Sequence, residues 1–443
     1  MAQHSAHAPA RPAGQVVPLL DLDRMVLRRC VHCGLCLDFC PTYRLLGNEL
    51  DSPRGRIWQV RALADGRIQP DDPHLRTHIG LCLDCRACET ACPSGVQYGQ
   101  IVEAARAVIP PASWRERLLR RLILGTIFPS PPLLELVGFG LRLYQKSGLQ
   151  GLLRRSGLLR LLPGRLADLE AMLPPLQGGV FRRPLPPTIP AQGMRRARVA
   201  LITGCVAAQF FNETNWATAR VLARNGCEVV VPAAQRCCGA LHLHSGEREV
   251  ARALARQNIA AFEATGADYY VINAAGCGST LKEYGHLLAH DPAWAERARA
   301  FSQRVRDVTE LLAQLPLEPP RAALRCRVTY QDACHLAHGQ RIREQPRQLL
   351  QAIPGLELVE MRGADECCGS AGIYNVVHYD VAVRLLEQKI AAIAATGAEI
   401  VAAANPGCLI QIAYGLRRQG LPLQVAHPVD LLDRAYAQEK ASS

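Results

Sequence analysis

The chain is 443 residues long, carries a formal net charge of +12 and has a hydrophobic fraction of 49%. This length suggests two to four domains, and this hydrophobic fraction is enough for folded cores, so a disordered chain is excluded. Residues 1–20 are predicted to be a flexible tail, because Met1–Pro18 is rich in Ala, Pro and His and has no apolar run typical of a signal peptide. The 18 cysteines, without a secretory signal, indicate a reducing compartment and argue against a disulfide framework.

Two cysteine runs follow the tail, Cys30–Pro41 and Cys82–Pro93, and both have the spacing C-x2-C-x2-C-x3-C-P. In such runs a short loop brings three thiolates to one 4Fe–4S cluster, and the fourth reaches a second cluster. The sequence therefore predicts a double 4Fe–4S ferredoxin domain at 21–110, whose chemistry is electron transfer. The predicted ligand sets are Cys30, Cys33, Cys36 and Cys92 for one cluster, and Cys82, Cys85, Cys88 and Cys40 for the other.

Structural zinc is the alternative for these runs, because paired C-x2-C units also hold zinc in tetrahedral sites. Zinc would leave the third and fourth cysteines of each run, and the proline that follows, without an explanation. The spacing therefore favours iron–sulfur clusters.

The excess positive charge is concentrated at 111–196, where fourteen Arg and Lys stand against four Asp and Glu, a net charge of +10. The segment is rich in Leu at spacings of three and four, which predicts a linker of basic amphipathic helices. Such helices could dock to an anionic membrane surface or an acidic partner, or they could pack on the chain's own domains with arginines in solvent. Prolines and Glu135 interrupt the longest apolar stretch, 122–141, so no membrane span is expected. Nucleic acid is not expected either, because no binding motif accompanies the arginines.

The C-terminal half contains an internal repeat of cysteines, with offsets of 129, 130 and 131 residues between the copies. Apolar runs in both copies predict an α/β domain at 197–318 and another at 319–443, so the fold class is α/β overall. The predicted strands are Val199–Thr203, Glu228–Val231 and Tyr269–Asn273 in the first copy, and Val328–Gln331, Leu356–Met361 and Glu399–Ala403 in the second.

Each predicted strand ends just before a repeated cysteine position, and the carboxyl ends of strands in an open α/β sheet line one crevice. Four thiols per copy should therefore converge, which favours a cluster or metal site over the alternative of small buried hydrophobic residues. Adjacent cysteines on a strand cannot both point into one core, and this also favours the site. Cys227 and Cys326 fall outside the repeat and are predicted core residues. The predicted ligands are Cys205, Cys237, Cys238 and Cys277 in the first copy, and Cys334, Cys367, Cys368 and Cys408 in the second.

Histidines accompany these cysteines in both copies. His242 and His244 follow the first cysteine pair, and His335 and His338 follow Cys334. They are candidates for tuning a cluster or for delivering protons near neutral pH, with local hydrogen bonding as the alternative. No catalytic residue is predicted in the chain.

The combination of motifs resembles the family of glycolate oxidase iron–sulfur subunits, in which a double ferredoxin domain precedes two Cys-Cys-Gly domains. The resemblance covers roughly residues 25–435 and is carried by 237–244 (CCGALHLH), 367–374 (CCGSAGIY) and 404–408 (ANPGC). It implies a complex whose FAD-binding dehydrogenase subunits oxidise glycolate to glyoxylate. This subunit would pass the electrons toward quinone or another acceptor, as a peripheral protein on the cytoplasmic face of the inner membrane. The chain itself has no dinucleotide fingerprint with the third glycine at the required spacing, so flavin is expected on a partner.

Other roles remain open. The chain could serve a different flavin dehydrogenase, for lactate or glycerol 3-phosphate, or a complex resembling heterodisulfide reductase. It could also have a non-catalytic role, in which the linker docks the complex to a membrane and the C-terminal clusters are purely structural. Heterodisulfide reductases add a cysteine in a C-x-x-C ending, whereas Cys277 and Cys408 have no such partner. An enlarged cluster is therefore not expected, but one further iron–sulfur cluster per Cys-Cys-Gly domain is possible.

Overall fold

The structure is a computed structural model that describes residues 19, 22–161, 165–176 and 178–442. The predicted tail at 1–20 lies, except for Leu19, outside the described residues. The chain folds as two units, the first formed by 1–117 with 243–247 and the second by 118–242 with 248–443.

The first unit is helical, and loops between its helices carry the two cysteine runs. Helix starts are fixed locally: Ser52 accepts a hydrogen bond from the Gly55 amide and is followed by a proline, and Asp72 caps the next helix in the same way. Buried side chains of the helices Pro53–Ala64 and Tyr98–Val108, among them Val60 and Ile101, form the core together with Cys82 and Cys88. The helices are α1 Arg24–Arg28, α2 Pro41–Leu46, α3 Pro53–Ala64, α4 Pro73–Gly80, α5 Ala87–Thr90, α6 Tyr98–Val108 and α7 Trp114–Leu122, whose last residues belong to the second unit.

The basic linker is helical, as its spacing predicts. Its further helices are α8 Pro131–Lys146, α9 Leu149–Ser156 and α10 Leu166–Met172. Among the described residues no single helix is long and apolar enough to cross a membrane. The segments Trp114–Ile127 and Pro131–Lys146 reach that length and apolarity only together, as a pair bent by 103°.

Two sheets lie at the centre of the rest of the second unit. Their strands are β1 Thr188–Ile189, β2 Ala197–Ile202, β3 Cys227–Val230, β4 Tyr269–Ile272, β5 Val305–Asp307, β6 Cys326–Gln331, β7 Leu356–Val359, β8 Ile400–Ala403 and β9 Gln424–Ala426. The first sheet has the order β1-β3-β2-β4-β5 and the second β7-β6-β8-β9, so the orders correspond except for the additional edge strand β1. All neighbours are parallel except β1 and β3. The predicted α/β class is confirmed, and all six predicted strands are present with ends within two residues.

Helices connect the strands in both copies, as parallel neighbours require. In the first copy they are α11 Val206–Phe210, α12 Asn212–Arg224, α13 Ala240–His244, α14 Arg248–Glu263, α15 Ala275–Lys282, α16 Tyr284–Leu287, α17 Ala295–Arg304 and α18 Val308–Gln314. In the second copy they are α19 Glu344–Gln351, α20 Tyr374–Val377, α21 Tyr379–Ala394, α22 Pro406–Arg418 and α23 Pro428–Ser442.

The two copies share one hydrophobic core. It contains Val199 and Val271 from the first sheet and Val328 and Ile400 from the second. The C-terminal helix α23 packs on α12 of the first copy. Because one continuous core holds both sheets, the strand ends that carry the cysteines are fixed relative to one another.

Candidate cluster sites

The first ferredoxin cavity is lined by the predicted set Cys30, Cys33, Cys36 and Cys92, with Cys88 also in the wall. The loop that carries the first three cysteines turns through left-handed backbone at His32 and Gly34, with φ of 56° and 88°. Burial raises the pKa of Cys36 to about 11, so a metal must displace its proton on binding.

The second ferredoxin cavity is lined by Cys40, Cys82, Cys85 and Cys88, which is the second predicted set. Cys40 comes from the first run, so the structure shows the crossed grouping that the spacing predicts. The assignment of these residues as ligands itself stays a prediction. Four cysteine sulfur atoms around one cavity are the donor chemistry of an iron–sulfur cluster, so the residues present fit the group.

Hydrogen-bond donors surround the sulfur atoms of the second cavity. The Asp84 amide and the Tyr98 hydroxyl donate to Cys82 Sγ over 3.3 and 3.5 Å. The guanidinium of Arg56, almost wholly buried, lies 4.0 Å from Cys40 Sγ. Such donors stabilise negative charge on the sulfur atoms and so raise the reduction potential of a bound cluster.

The segment 243–247, which follows the first Cys-Cys-Gly pair, belongs to the first unit and places a buried ionic cluster beside the second run. His244 Nδ1 lies 3.1 Å from Asp84 Oδ2 and 3.0 Å from Glu103 Oε1. Burial lowers the pKa of His244, but the two carboxylates raise it to about 9. The imidazolium thus holds Asp84, the residue before Cys85, in place. Sequence reasoning did not assign this role, and no local spacing indicates it, since the partners are over a hundred residues apart.

In the first Cys-Cys-Gly copy the four predicted thiols form a continuous chain. Cys205 precedes α11, and its Sγ lies 3.4 Å from that of Cys237. Hydrogen bonds continue from Cys237 to Cys238 and from Cys238 to Cys277 at the start of α15. The hydrogen bond with Cys237 and burial hold the pKa of Cys205 well above its usual range.

The second copy has the same chain of thiols, from Cys334 through Cys367 and Cys368 to Cys408. Hydrogen bonds from Cys367 and Cys408 hold the pKa of Cys368 well below its usual range. Four thiols per copy converge as predicted, and their donor chemistry fits a cluster. Of the two predicted core cysteines, Cys227 of β3 is buried in the core, whereas Cys326 of β6 is half-buried and packs against it.

The loops before Cys277 and Cys408 are joined to each other. The Ala275 amide donates to the Ala404 carbonyl over 3.0 Å, and the Gly276 amide donates to Asn405 Oδ1 over 3.2 Å. The other end of that amide, Asn405 Nδ2, donates to Cys408 Sγ over 3.5 Å. One side chain therefore contacts a thiol of the second quartet and the backbone next to the first, which places the two quartets at one edge of the second unit.

The other three candidate histidines differ in their surroundings. His242 is fully buried, with Nε2 bonded to the Leu124 carbonyl, and burial lowers its pKa. His338 Nε2 donates to the Asp365 carbonyl, while its Nδ1 accepts from Arg343. Local hydrogen bonding is therefore favoured for these two. His335 is half-buried beside Cys334, and its proton role stays a prediction.

Comparisons with known proteins agree with this arrangement. The model of the 4Fe-4S dicluster domain matches residues 26–96, and the cysteine-rich domain matches 199–282 and 328–413. The linker region of the glycolate oxidase iron-sulfur subunit matches 115–173. The cofactors of the chain are accordingly iron–sulfur clusters, with two 4Fe–4S clusters in the ferredoxin domain.

Relatives match over nearly the whole chain. The probable glycolate oxidase iron-sulfur subunit of Bacillus subtilis is 45% identical over 93% of this chain and 94% of its own length. The glycolate oxidase iron-sulfur subunit of Escherichia coli is 34% identical over 94% and 95% of the two chains. Lactate utilization protein A of Geobacillus kaustophilus is 33% identical, but it covers only 53% of this chain while using 98% of its own. The chain therefore belongs to the family of glycolate oxidase iron–sulfur subunits.

Proposed function

We propose that this chain is the electron-transfer subunit of a glycolate dehydrogenase complex, in which a partner FAD-binding subunit oxidises glycolate to glyoxylate. The observation that carries the proposal is the 45% identity with a glycolate oxidase subunit along 93% of the chain, linker included. Lactate utilization protein A supports the alternative substrate less well, because its match leaves nearly half of this chain uncovered.

Bound iron–sulfur clusters supply reversible one-electron transfer. The exposure of the cysteines determines which cluster cavity a partner subunit can approach. Cys33 is exposed and is flanked by the exposed apolar side chains of Val31 and Leu35, whereas Cys82 and Cys85 are buried. The first cavity is therefore the face that a partner subunit would approach, since apolar side chains rimming an exposed site are typical of protein contacts.

The test is an anaerobic isolation of the tagged chain with its bound partners, followed by addition of glycolate and electron paramagnetic resonance. We expect glycolate to reduce the clusters, and lactate and glycerol 3-phosphate to reduce them far less. Reduction by lactate or glycerol 3-phosphate alone would keep the subunit class and replace the substrate. No reduction by any of the three would contradict the proposal.

We further propose that the complex sits on the cytoplasmic face of the inner membrane, through the basic linker, and delivers electrons to quinone. Helices α7 and α9 bury none of their residues. Trp114, Leu118 and Leu122 recur every fourth residue along α7 and are at least half exposed, and the exposed Arg117 and Arg121 lie along one border of this apolar face. A helix with an exposed apolar face bordered by arginines suits an anionic lipid surface. Packing on the chain's own domains, the other interpretation of the linker, is supported for α8, whose Arg142 is buried.

Replacing both Arg117 and Arg121 with Gln should weaken binding to vesicles of phosphatidylglycerol and phosphatidylethanolamine about 30-fold, because each basic residue near such a surface contributes about 1 kcal/mol. Sedimentation with vesicles measures the effect, and glycolate-driven dye reduction should be unchanged. Arg384→Gln, which removes one exposed charge from α21, is the control and should leave vesicle binding unaltered. Unchanged binding by the double variant would contradict the docking proposal.

A further inference from the structure

The two Cys-Cys-Gly copies are nearly identical in fold but differ in charge beside the cysteines. Helices α14 and α21 both have sixteen residues. An offset of 131 superposes their buried positions, and the glycines after both cysteine pairs approach equivalent residues, Ala251 and Ala382. At this offset Lys389 of α21 corresponds to Asn258 of α14.

Both residues are buried, but only one is ionisable. Lys389 is 4% exposed, and its Nζ donates to the Gly363 carbonyl over 2.5 Å. Asn258 is 2% exposed; its Nδ2 donates to the Cys237 carbonyl over 3.0 Å, and its Oδ1 accepts from the Arg236 amide over 2.7 Å. Each side chain thus holds the loop before its own cysteine pair, one with a neutral amide and the other with an ammonium.

The ammonium lies beside the second quartet. Its partner Gly363 is four residues before Cys367, and α21 packs through Ala382 on Gly369, the residue directly after Cys368. Burial lowers the pKa of Lys389, whereas the charges of Cys368, Glu366, Cys367 and Cys408 raise it, and of these groups the exposed Glu366 is screened by water. In the first copy, whose residues the structure describes throughout, Arg236 directly precedes the pair, and the buried arginines Arg142 and Arg248 lie on α8 and at the start of α14. The half-exposed guanidinium of Arg236 is bonded to the Ala234 and Gln235 carbonyls.

We propose that Lys389 makes the second quartet the site of higher reduction potential in this half of the chain, so that electrons entering it settle there. This inference rests on the proposed electron-transfer function. Reduction adds a negative charge to a cluster, and a buried cation nearby stabilises that charge far more than a neutral amide does. A cluster held by four thiolates in turn favours the charged form of the lysine. Lys389 is therefore a tuning residue, and the difference in potential that it creates directs electrons from the first quartet to the second.

The experiment is a mediated redox titration of the purified chain, followed by electron paramagnetic resonance, without glycolate. Cys408→Ser first identifies the signal of the second quartet. Lys389→Gln keeps a donor for the Gly363 carbonyl but removes the charge, and we expect it to lower the midpoint potential of that signal alone. Lys389→Arg should restore the potential. Arg384→Gln, which removes an exposed charge from the same helix, should shift nothing.

An unchanged potential in Lys389→Gln, or an equal shift in Arg384→Gln, would overturn the inference. If Lys389→Gln and Lys389→Arg shift the potential alike, Lys389 acts through the position of its loop and the inference is again wrong. If Cys408→Ser removes no signal, the second quartet holds no cluster and the inference fails, while reduction of the ferredoxin clusters by glycolate would still uphold the proposed function.

Discussion

Cys40→Ser should remove the cluster of the second cysteine run, although Cys40 belongs to the first run. The reason is geometric: Cys40 is buried in the cavity lined by Cys82, Cys85 and Cys88, and the buried guanidinium of Arg56 is directed at its sulfur. We expect a loss of up to about four iron atoms per chain, together with one of the two ferredoxin signals in electron paramagnetic resonance.

Double variants sharpen this expectation. Cys40→Ser combined with Cys82→Ser should lose no more iron than either single variant, because both ligands serve one cluster. Combined with Cys36→Ser, from the other cavity, Cys40→Ser should abolish both signals. Cys326→Ser is the control, since this half-buried thiol lies outside every quartet and its loss should leave the iron content unchanged. Loss of the same signal in Cys36→Ser and Cys40→Ser would mean that each run holds its own cluster.

The cysteine sites could be predicted from sequence because their information is local. Cysteines at a fixed spacing along one loop bring their thiols together around one cluster. Cysteines that follow parallel strands meet because the carboxyl ends of those strands lie at the same edge of the sheet. The six predicted strands were found for a related reason, because short runs that are mostly apolar or that alternate apolar and polar residues favour strands. Strands β1, β5 and β9 were missed because two or three residues carry no periodicity, and they form only as edges or ends of sheets that already exist.

The packing of the linker helices could not be predicted from the sequence. Its spacing predicts helices, but not which of them pack on the chain. In α8, Arg142 is buried and donates to the backbone and side-chain oxygens of Gln209 in α11, just after Cys205. A Cβ on Gly138 would lie 2.0 Å from Gln209 Oε1, so any larger residue would displace this side chain from Arg142. An arginine that would be assigned to solvent is thus a buried anchor, and only tertiary structure distinguishes it from Arg117 or Arg121.

The difference in charge between the two Cys-Cys-Gly copies could be predicted from the sequence only in part. Lys389 stands on a helix face that is otherwise apolar, and aligning the two copies by their cysteine pairs alone, at an offset of 130, compares it with Ile259. The helices instead follow the offset of 131 given by Cys277 and Cys408, which pairs Lys389 with Asn258. The loops between each cysteine pair and the following helix differ by one residue in length. The correspondence of Lys389 with Asn258 is therefore found only when the buried faces of α14 and α21 are compared.

Gly369→Ala should destabilise the second unit by about 2–5 kcal/mol and empty the second quartet. Gly369 has a φ of +86°, where an L-residue costs about 1–2 kcal/mol. An added Cβ would also lie 2.6 Å from the Ala382 carbonyl oxygen, in the backbone of α21, and such overpacking costs about 1–3 kcal/mol. Since α21 cannot yield without disturbing its core, the displaced residues are the adjacent Cys367 and Cys368. Urea unfolding and iron content measure the two effects.

Two further glycines separate the causes. Gly239, at φ +84°, would place its Cβ 3.3 Å from the α-carbon of Ala251, so Gly239→Ala should cost less and lower the occupancy of the first quartet only in part. Gly420 has a φ of +67°, and no atom of the described residues lies within 4 Å of the added Cβ, so Gly420→Ala should lose only about 1–2 kcal/mol and no iron. Equal losses at all three positions would mean that backbone conformation alone requires glycine after the cysteine pairs. A loss of stability and iron that is largest for Gly369→Ala, smaller for Gly239→Ala and smallest for Gly420→Ala would have a different meaning. It would show that the contact of Gly239 with α14, and that of Gly369 with α21, holds each pair of thiols at its site.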